Sequence, residues 1–379
     1  MSRTGNRIGW GAWGASMTRA LRPTSLRLRL AVLTLVLAAA ALLSACGGIG
    51  GSSAPPLTST ENHLHDVLTL RGEPGAVLIA THFGLYRSSD RGHAWAQVAG
   101  GPGQQMDGLM TYKLAQSPVD TKRVYCLALP RSAMPGVTHA TAGLYASVDS
   151  GRTWKLAAAV DTFPTNSVFS IGVSSASGGR VFAIVSALGA AGLYASDDAG
   201  AHWRALPKTP AADITGVLGD PAHPGHVYLW SNISGVFSSA DDGRTWSAAA
   251  GISGAVYALS SSGDIVYAGG DAGLFVSHDA GRHFVQTHAR ETFSAIAASL
   301  STPATAYALN GAEVYVTTDG GKTWRQAAPT SQHPALVAVD PGDAGSAYIG
   351  YLSPIGLDAT RDSGNAWQTL VRRTPPQRT

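Results

Sequence analysis

Ser147-Val148-Asp149-Ser150-Gly151-Arg152-Thr153-Trp154 is one of seven copies of a single pattern: Ser or Thr, any residue, Asp, any residue, Gly, any two, then an aromatic. The other copies centre on Asp90, Asp198, Asp241, Asp279, Asp319 and Asp362. The closing aromatic is Trp everywhere except the fifth copy, which has Phe284. Self-similarity at a period of roughly 40–60 residues signals a propeller or a solenoid, in which one small unit recurs and buries its faces against its neighbours.

The residues around each copy choose between the two. A short apolar run precedes each pattern, as in Gly143-Leu144-Tyr145-Ala146 or Gly273-Leu274-Phe275-Val276. Two further runs lie ahead of it, such as Ser294-Ala295-Ile296-Ala297-Ala298 and Val227-Tyr228-Leu229-Trp230, and a fourth is expected from the closing aromatic onward. Four short strands per unit, separated by Gly, Asp and Pro turns, form a propeller blade. The predicted fold is therefore all-β, a seven-bladed β-propeller with four-stranded blades over residues 63–371. Within each turn the Asp is suited to accept backbone N–H groups. The Gly takes a conformation that a Cβ opposes, the Ser or Thr bonds locally, and the Trp is expected between neighbouring sheets. These residues are read as structural.

At these positions the chain resembles the Asp-box (BNR-repeat) propellers, a group that includes sialidases, xyloglucan-cleaving glycosidases, the sortilin ectodomain and a photosystem II assembly factor. The resemblance implies the fold, and in the enzymes of the group the active site lies on the face opposite the boxes. A sialidase would need a Tyr nucleophile paired with Glu, an Asp acid/base and three arginines. The Arg-Ile-Pro motif of sialidases is absent here, and beyond the leader the only glutamates are Glu61, Glu73, Glu291 and Glu313.

Residues 1–29 carry six arginines and no acid, and Leu30 to Leu43 is apolar. A span needs about 20 apolar residues, so this run suits the core of a signal peptide. Leu43-Ser44-Ala45-Cys46 resembles a lipobox. The expected organisation is a signal peptide over 1–45, a lipidated Cys46 with a Gly/Ser/Pro-rich tether to residue 62, the propeller, and a tail over 372–379. Localisation follows: exported and anchored by lipid to the cell membrane or the outer membrane. The 27 basic residues exceed the 24 acidic ones, but six of the basic ones leave with the leader, so 21 remain and the balance turns to −3. No Lys/Arg cluster offers a nucleic acid a positive field, which excludes that class of partner. A monomer is expected, and no motif asks for a cofactor. Asp241-Asp242-Gly243 lacks the ligand spacing of a calcium loop, and Gly321-Lys322-Thr323 lacks the earlier Gly of a phosphate loop. Cys126, in an apolar strand, reads as a small core residue.

Mapping the blade plan onto the face opposite the boxes nominates residues at the starts of the inner strands. They are His65, Asp66, Asp107, Asp213, Arg290, Glu291 and His333. The loop from Pro130 to Thr141 overhangs the same face and adds Arg131, Met134 and His139; long loops on a stiff scaffold are the usual place for recognition. Asp66, Asp107, Asp213 and Glu291 are the candidate acids. His63-x-His65-Asp66 offers metal-ligand types without a third ligand in view, so no metal is expected. The leading function is a binding or assembly module for an envelope protein or a glycan, with a glycoside hydrolase as the alternative. Converging acids at the channel mouth would favour hydrolysis; aromatic or apolar surface would favour binding.

Overall fold

A computed structural model describes residues 57–372, apart from 132–139, 163–167, 186–191, 212, 253, 290 and 331. Seven four-stranded antiparallel sheets follow one another along the chain and form a seven-bladed propeller. In the first blade the strands are Leu64–Thr69, Val77–Thr81, Gly84–Ser88 and Ala96–Ala99, from the channel outward. The second strands carry apolar runs rather than alternation, as in Val77-Leu78-Ile79-Ala80 and Val181-Phe182-Ala183-Ile184-Val185. Every residue of Val77–Thr81 is buried, because stacked blades cover both faces of the sheet. Outer strands are short and wet: Arg204–Ala205 and Arg325–Gln326 are two residues long and exposed. Short polar edges of this kind resist pairing with other chains.

The core is divided into seven clusters, and each spans two adjacent blades. Leu78 and Ala80 of blade one pack with Cys126, Tyr145 and Trp154 of blade two. The same arrangement recurs around the ring until Leu64, Val67 and Ile79 of blade one meet Tyr348, Ile355 and Leu357 of blade seven. Thr69 Oγ1 also donates to the carbonyl of Val339 at 2.6 Å, and Leu64 N to that of Leu352 at 3.1 Å. Every sheet consists of four consecutive strands, so the ring closes by packing and these cross-bonds, with no strand exchanged between the chain ends.

The seven turns are near-identical. In each, the Ser or Thr hydroxyl lies 2.7–2.8 Å from the Asp carboxylate and accepts the N–H of the Gly at 2.8–2.9 Å. The Asp also accepts the N–H four residues on, as with Thr153 N to Asp149 at 2.8 Å. The residue before the Gly is left-handed, with φ near +60° at Arg91, Ser150 and Ala199, and its N–H bonds a carbonyl in the turn between the first two strands of the same blade. Gly151 follows at φ +78°, where a Cβ would stand 2.6 Å from Leu78 of the preceding blade. The outer strand starts one residue after the aromatic, not on it. Trp154 is still part of the turn, its indole N–H bonded to Gly151 O at 3.1 Å and its ring in the interface with blade one.

Candidate functional site: the channel mouth opposite the boxes

Inner strands from all seven blades enclose a channel of about 470 Å³. Its wall is mostly Val, Leu, Ile, Ala and Ser, and Asp66 is the single carboxylate among the described lining residues. The mouth away from the boxes has its own device. In blades one, two, four and five the ladder slips by one residue near the start of the inner strand, at His65, Tyr112, Thr215 and Tyr257. A bulge of this kind re-aims a side chain at the rim. All four residues are partly exposed. Trp230 lies beside them, its indole N–H on Tyr257 O at 3.3 Å and its ring so close over Gly216 that no Cβ would fit there. Tyr112, Tyr257 and Trp230 thus bring aromatic surface to the mouth, beside the polar His65 and Thr215.

The candidate acids are dispersed among the blades and bonded locally. Asp66 accepts Val67 N and Leu114 N, both at 3.0 Å, and pairs with Lys113 at 3.4 Å, so it ties the inner strands of blades one and two together. Asp107 accepts Gly103 N at 2.9 Å in the link between those blades. Asp213, in blade four, accepts the hydroxyls of Ser231 and Ser234. Burial pulls its carboxyl up, but the two hydroxyls outweigh it and the net shift is downward. Glu291 accepts from Asn310 at 2.9 Å and from Tyr315 at 3.3 Å, with His288 at 3.5 Å; the Asn310 bond leads in holding it below the usual range. No hydrogen bond or ion pair joins any two of these four among the described residues. His333 is exposed. Arg131 donates to Gly108 O at 2.9 Å and stacks over Phe83 at 5.1 Å. Met134, His139, Arg290 and Cys46 lie outside the described residues. Cys126 is buried, and burial pushes its thiol well above the ordinary value.

A group that the sequence does not assemble also stands on this face. Cross-strand register pairs Leu64 with Thr81, which brings His82 opposite His63; His82 N donates to His63 O at 3.1 Å and the rings stack at 4.6 Å. His65 meets His63 edge-on at 4.7 Å. One ring nitrogen from each of the three lies within 4.8 Å of the others. Burial, and then mutual repulsion, pushes His65 down to about 4 and His82 to about 3, and burial lowers His63 as well. The signal for His82 was its place in a turn between second and third strands, which the blade plan directs to this face. A second group, Asp220, His223 and His226, lies at the turn between the first two strands of blade four. There Asp220 is fully buried and accepts Tyr228 OH at 2.7 Å and Ala222 N at 2.8 Å, while His223 bridges to Asp264 of blade five at 3.0 Å. It is a clip between blades.

The family profile "BNR/Asp-box repeat" matches residues 315–326. No curated protein matches the sequence. Among solved structures, the chain is similar to the GH74 xyloglucanase of Xanthomonas campestris, with a TM-score of 0.66 and 19% identity over 84% of this chain and 55% of that one. It thus spans about half the length of that enzyme. It is also similar to YCF48 of Cyanidioschyzon merolae, TM-score 0.53 and 13% identity over 82% and 96% of the two chains. YCF48 has been solved bound to a D1 peptide, in a structure with a TM-score of 0.51 and 14% identity over 70% and 83%. An extracellular domain from B. thetaiotaomicron gives 0.55 and 12% identity over 82% and 39%. At such identities the likeness concerns the fold.

Proposed function

For this chain, a BNR/Asp-box β-propeller, we propose the role of a binding or assembly module, exported and held at a membrane through a lipid on Cys46. Its ligand is an envelope protein or a glycan, received at the channel mouth opposite the boxes. One observation carries the reading: Tyr112, Tyr257 and Trp230 bring aromatic surface to the mouth, and the single carboxylate among the described lining residues is already engaged by two backbone N–H groups and a lysine. Glycoside hydrolysis in most enzyme families asks for two carboxyl groups about 5–9.5 Å apart across the bond, with one raised in pKa to act as an acid. Asp213 and Glu291 are both shifted the other way. Aromatic faces suit sugars and peptides alike, because they supply large contact area at small entropic cost.

The test is to incubate the full chain, purified in detergent, with sialosides, β-glucans and xyloglucan and to measure released sugar. The reading predicts no turnover, with retention of a ligand that weakens on Tyr257→Ala. Turnover that disappears in Asp66→Ala, Asp107→Ala or Glu291→Ala would replace it with a hydrolase.

A further inference from the structure

The three histidines of blade one go beyond that reading and stand without it. We propose that His63, His65 and His82 form a binding site for one zinc ion, or another divalent cation of the same borderline character, through three neutral imidazoles. Two of the three rings already have a backbone partner on the nitrogen that would face away from the ion. His65 Nδ1 lies 2.7 Å from Thr111 O, and His63 Nδ1 lies 3.4 Å from Glu61 O. A ring whose Nδ1–H donates to a backbone carbonyl has its tautomer fixed and its Nε2 lone pair free for a metal; metal-bound histidines almost always have such a partner. His82 supplies the independent sign. Its Nδ1 is buried and has no hydrogen-bond partner, a cost that a native structure seldom leaves unanswered.

The spacing also fits. Nitrogen atoms within 4.8 Å of one another need only small side-chain rotations to reach about 2.0–2.1 Å from a common ion. The scaffold beneath them is stiff: Leu64 is fully buried, Thr81 is fully buried, and the two are paired in the ladder. The neutral imidazole is the ligating form. Three imidazoles with no thiolate favour zinc, copper or nickel over calcium or magnesium. Asp66, which the sequence places beside His65, is not a ligand here because its oxygens hold Val67 N and Leu114 N. With three protein ligands, a tetrahedral ion keeps one position for water.

The Asp220, His223 and His226 group provides an internal control, since Asp220 and His223 are already engaged with other groups. The full chain in detergent is stripped with a chelator and dialysed against ZnCl2, and bound metal is counted by mass spectrometry. A parallel titration with CoCl2 follows the visible bands of a tetrahedral ion. The expected result is one zinc per chain, weakened about tenfold or more by His82→Ala and by His63→Ala and unchanged by His223→Ala. Two variants are used so that a failure of one to fold leaves the other, and the wild-type cobalt spectrum is independent of both. Absence of a stoichiometric ion in the wild type overturns the site. So does folded His82→Ala and His63→Ala protein that binds as the wild type does.

Discussion

Asp66→Ala separates a structural carboxylate from a catalytic one, because the two roles predict opposite outcomes. The side chain is 14% exposed, and it holds Val67 N and Leu114 N at 3.0 Å each and Lys113 at 3.4 Å. Truncation leaves the Leu114 N–H on a strand at the blade interface without its acceptor. An unsatisfied buried donor costs about 1–3 kcal/mol, and the half-exposed ion pair adds at most about 1 kcal/mol. Asp66→Ala should therefore lose about 1–4 kcal/mol. Asp66→Asn keeps one carbonyl acceptor and should lose roughly half as much, the cost of one hydrogen bond and the charge. Urea unfolding reads both, as a lower midpoint at an unchanged slope. If Asp66→Ala unfolds at the wild-type midpoint, the carboxylate is not holding the strands and the argument against catalysis at this position fails.

Trp154→Ala empties a position that is 3% exposed between blades one and two and should cost about 3–5 kcal/mol, read by the same unfolding curve. Asp319 is held at about 2 by hydrogen bonds from the Thr323 hydroxyl and backbone, and Asp241 also lies at about 2. Their contribution is therefore present in full above pH 4 and is lost as the pH falls toward 2. The stability gap between wild type and Asp319→Asn should shrink over that interval; a gap that widens on acidification contradicts the turn chemistry. Cys126 should ignore thiol reagents in the folded protein, since its thiol is buried and its pKa raised. Unfolded full chain from the native host should then titrate one thiol, because the proposed lipid would hold the Cys46 sulfur in a thioether; two thiols would dismiss the lipid anchor.

The blades are legible in the sequence because each position of the turn imposes its own local constraint. Asp149 must accept N–H groups, Gly151 must turn left-handed against Leu78, and Trp154 must fill the gap to the previous blade. The left-handed residue before each Gly carries no such signal: Arg91, Ser150, Ala199 and Ala280 share nothing but their place. Ring closure is equally silent, since it depends on contacts such as Thr69 with Val339 between distant parts of the chain, and no motif encodes them. The site was half visible. The blade plan directs His65 and Asp66 to the right face, but side-chain chemistry there depends on register. Pairing of Leu64 with Thr81 delivers His82 to His63, and a hydrogen bond to Leu114 N takes Asp66 out of use. Residue type alone predicts neither.

Photo-cross-linking in the native host tests the binding face most directly. A photo-reactive phenylalanine replaces Tyr112 or Tyr257 at the mouth, or Thr153 or the outward-facing His202, with its side chain 90% exposed, in two of the boxes. The account predicts a defined adduct of the same envelope protein or glycan from both mouth positions and none from the boxes. Adducts from the box positions alone, with the mouth unlabelled, would contradict it.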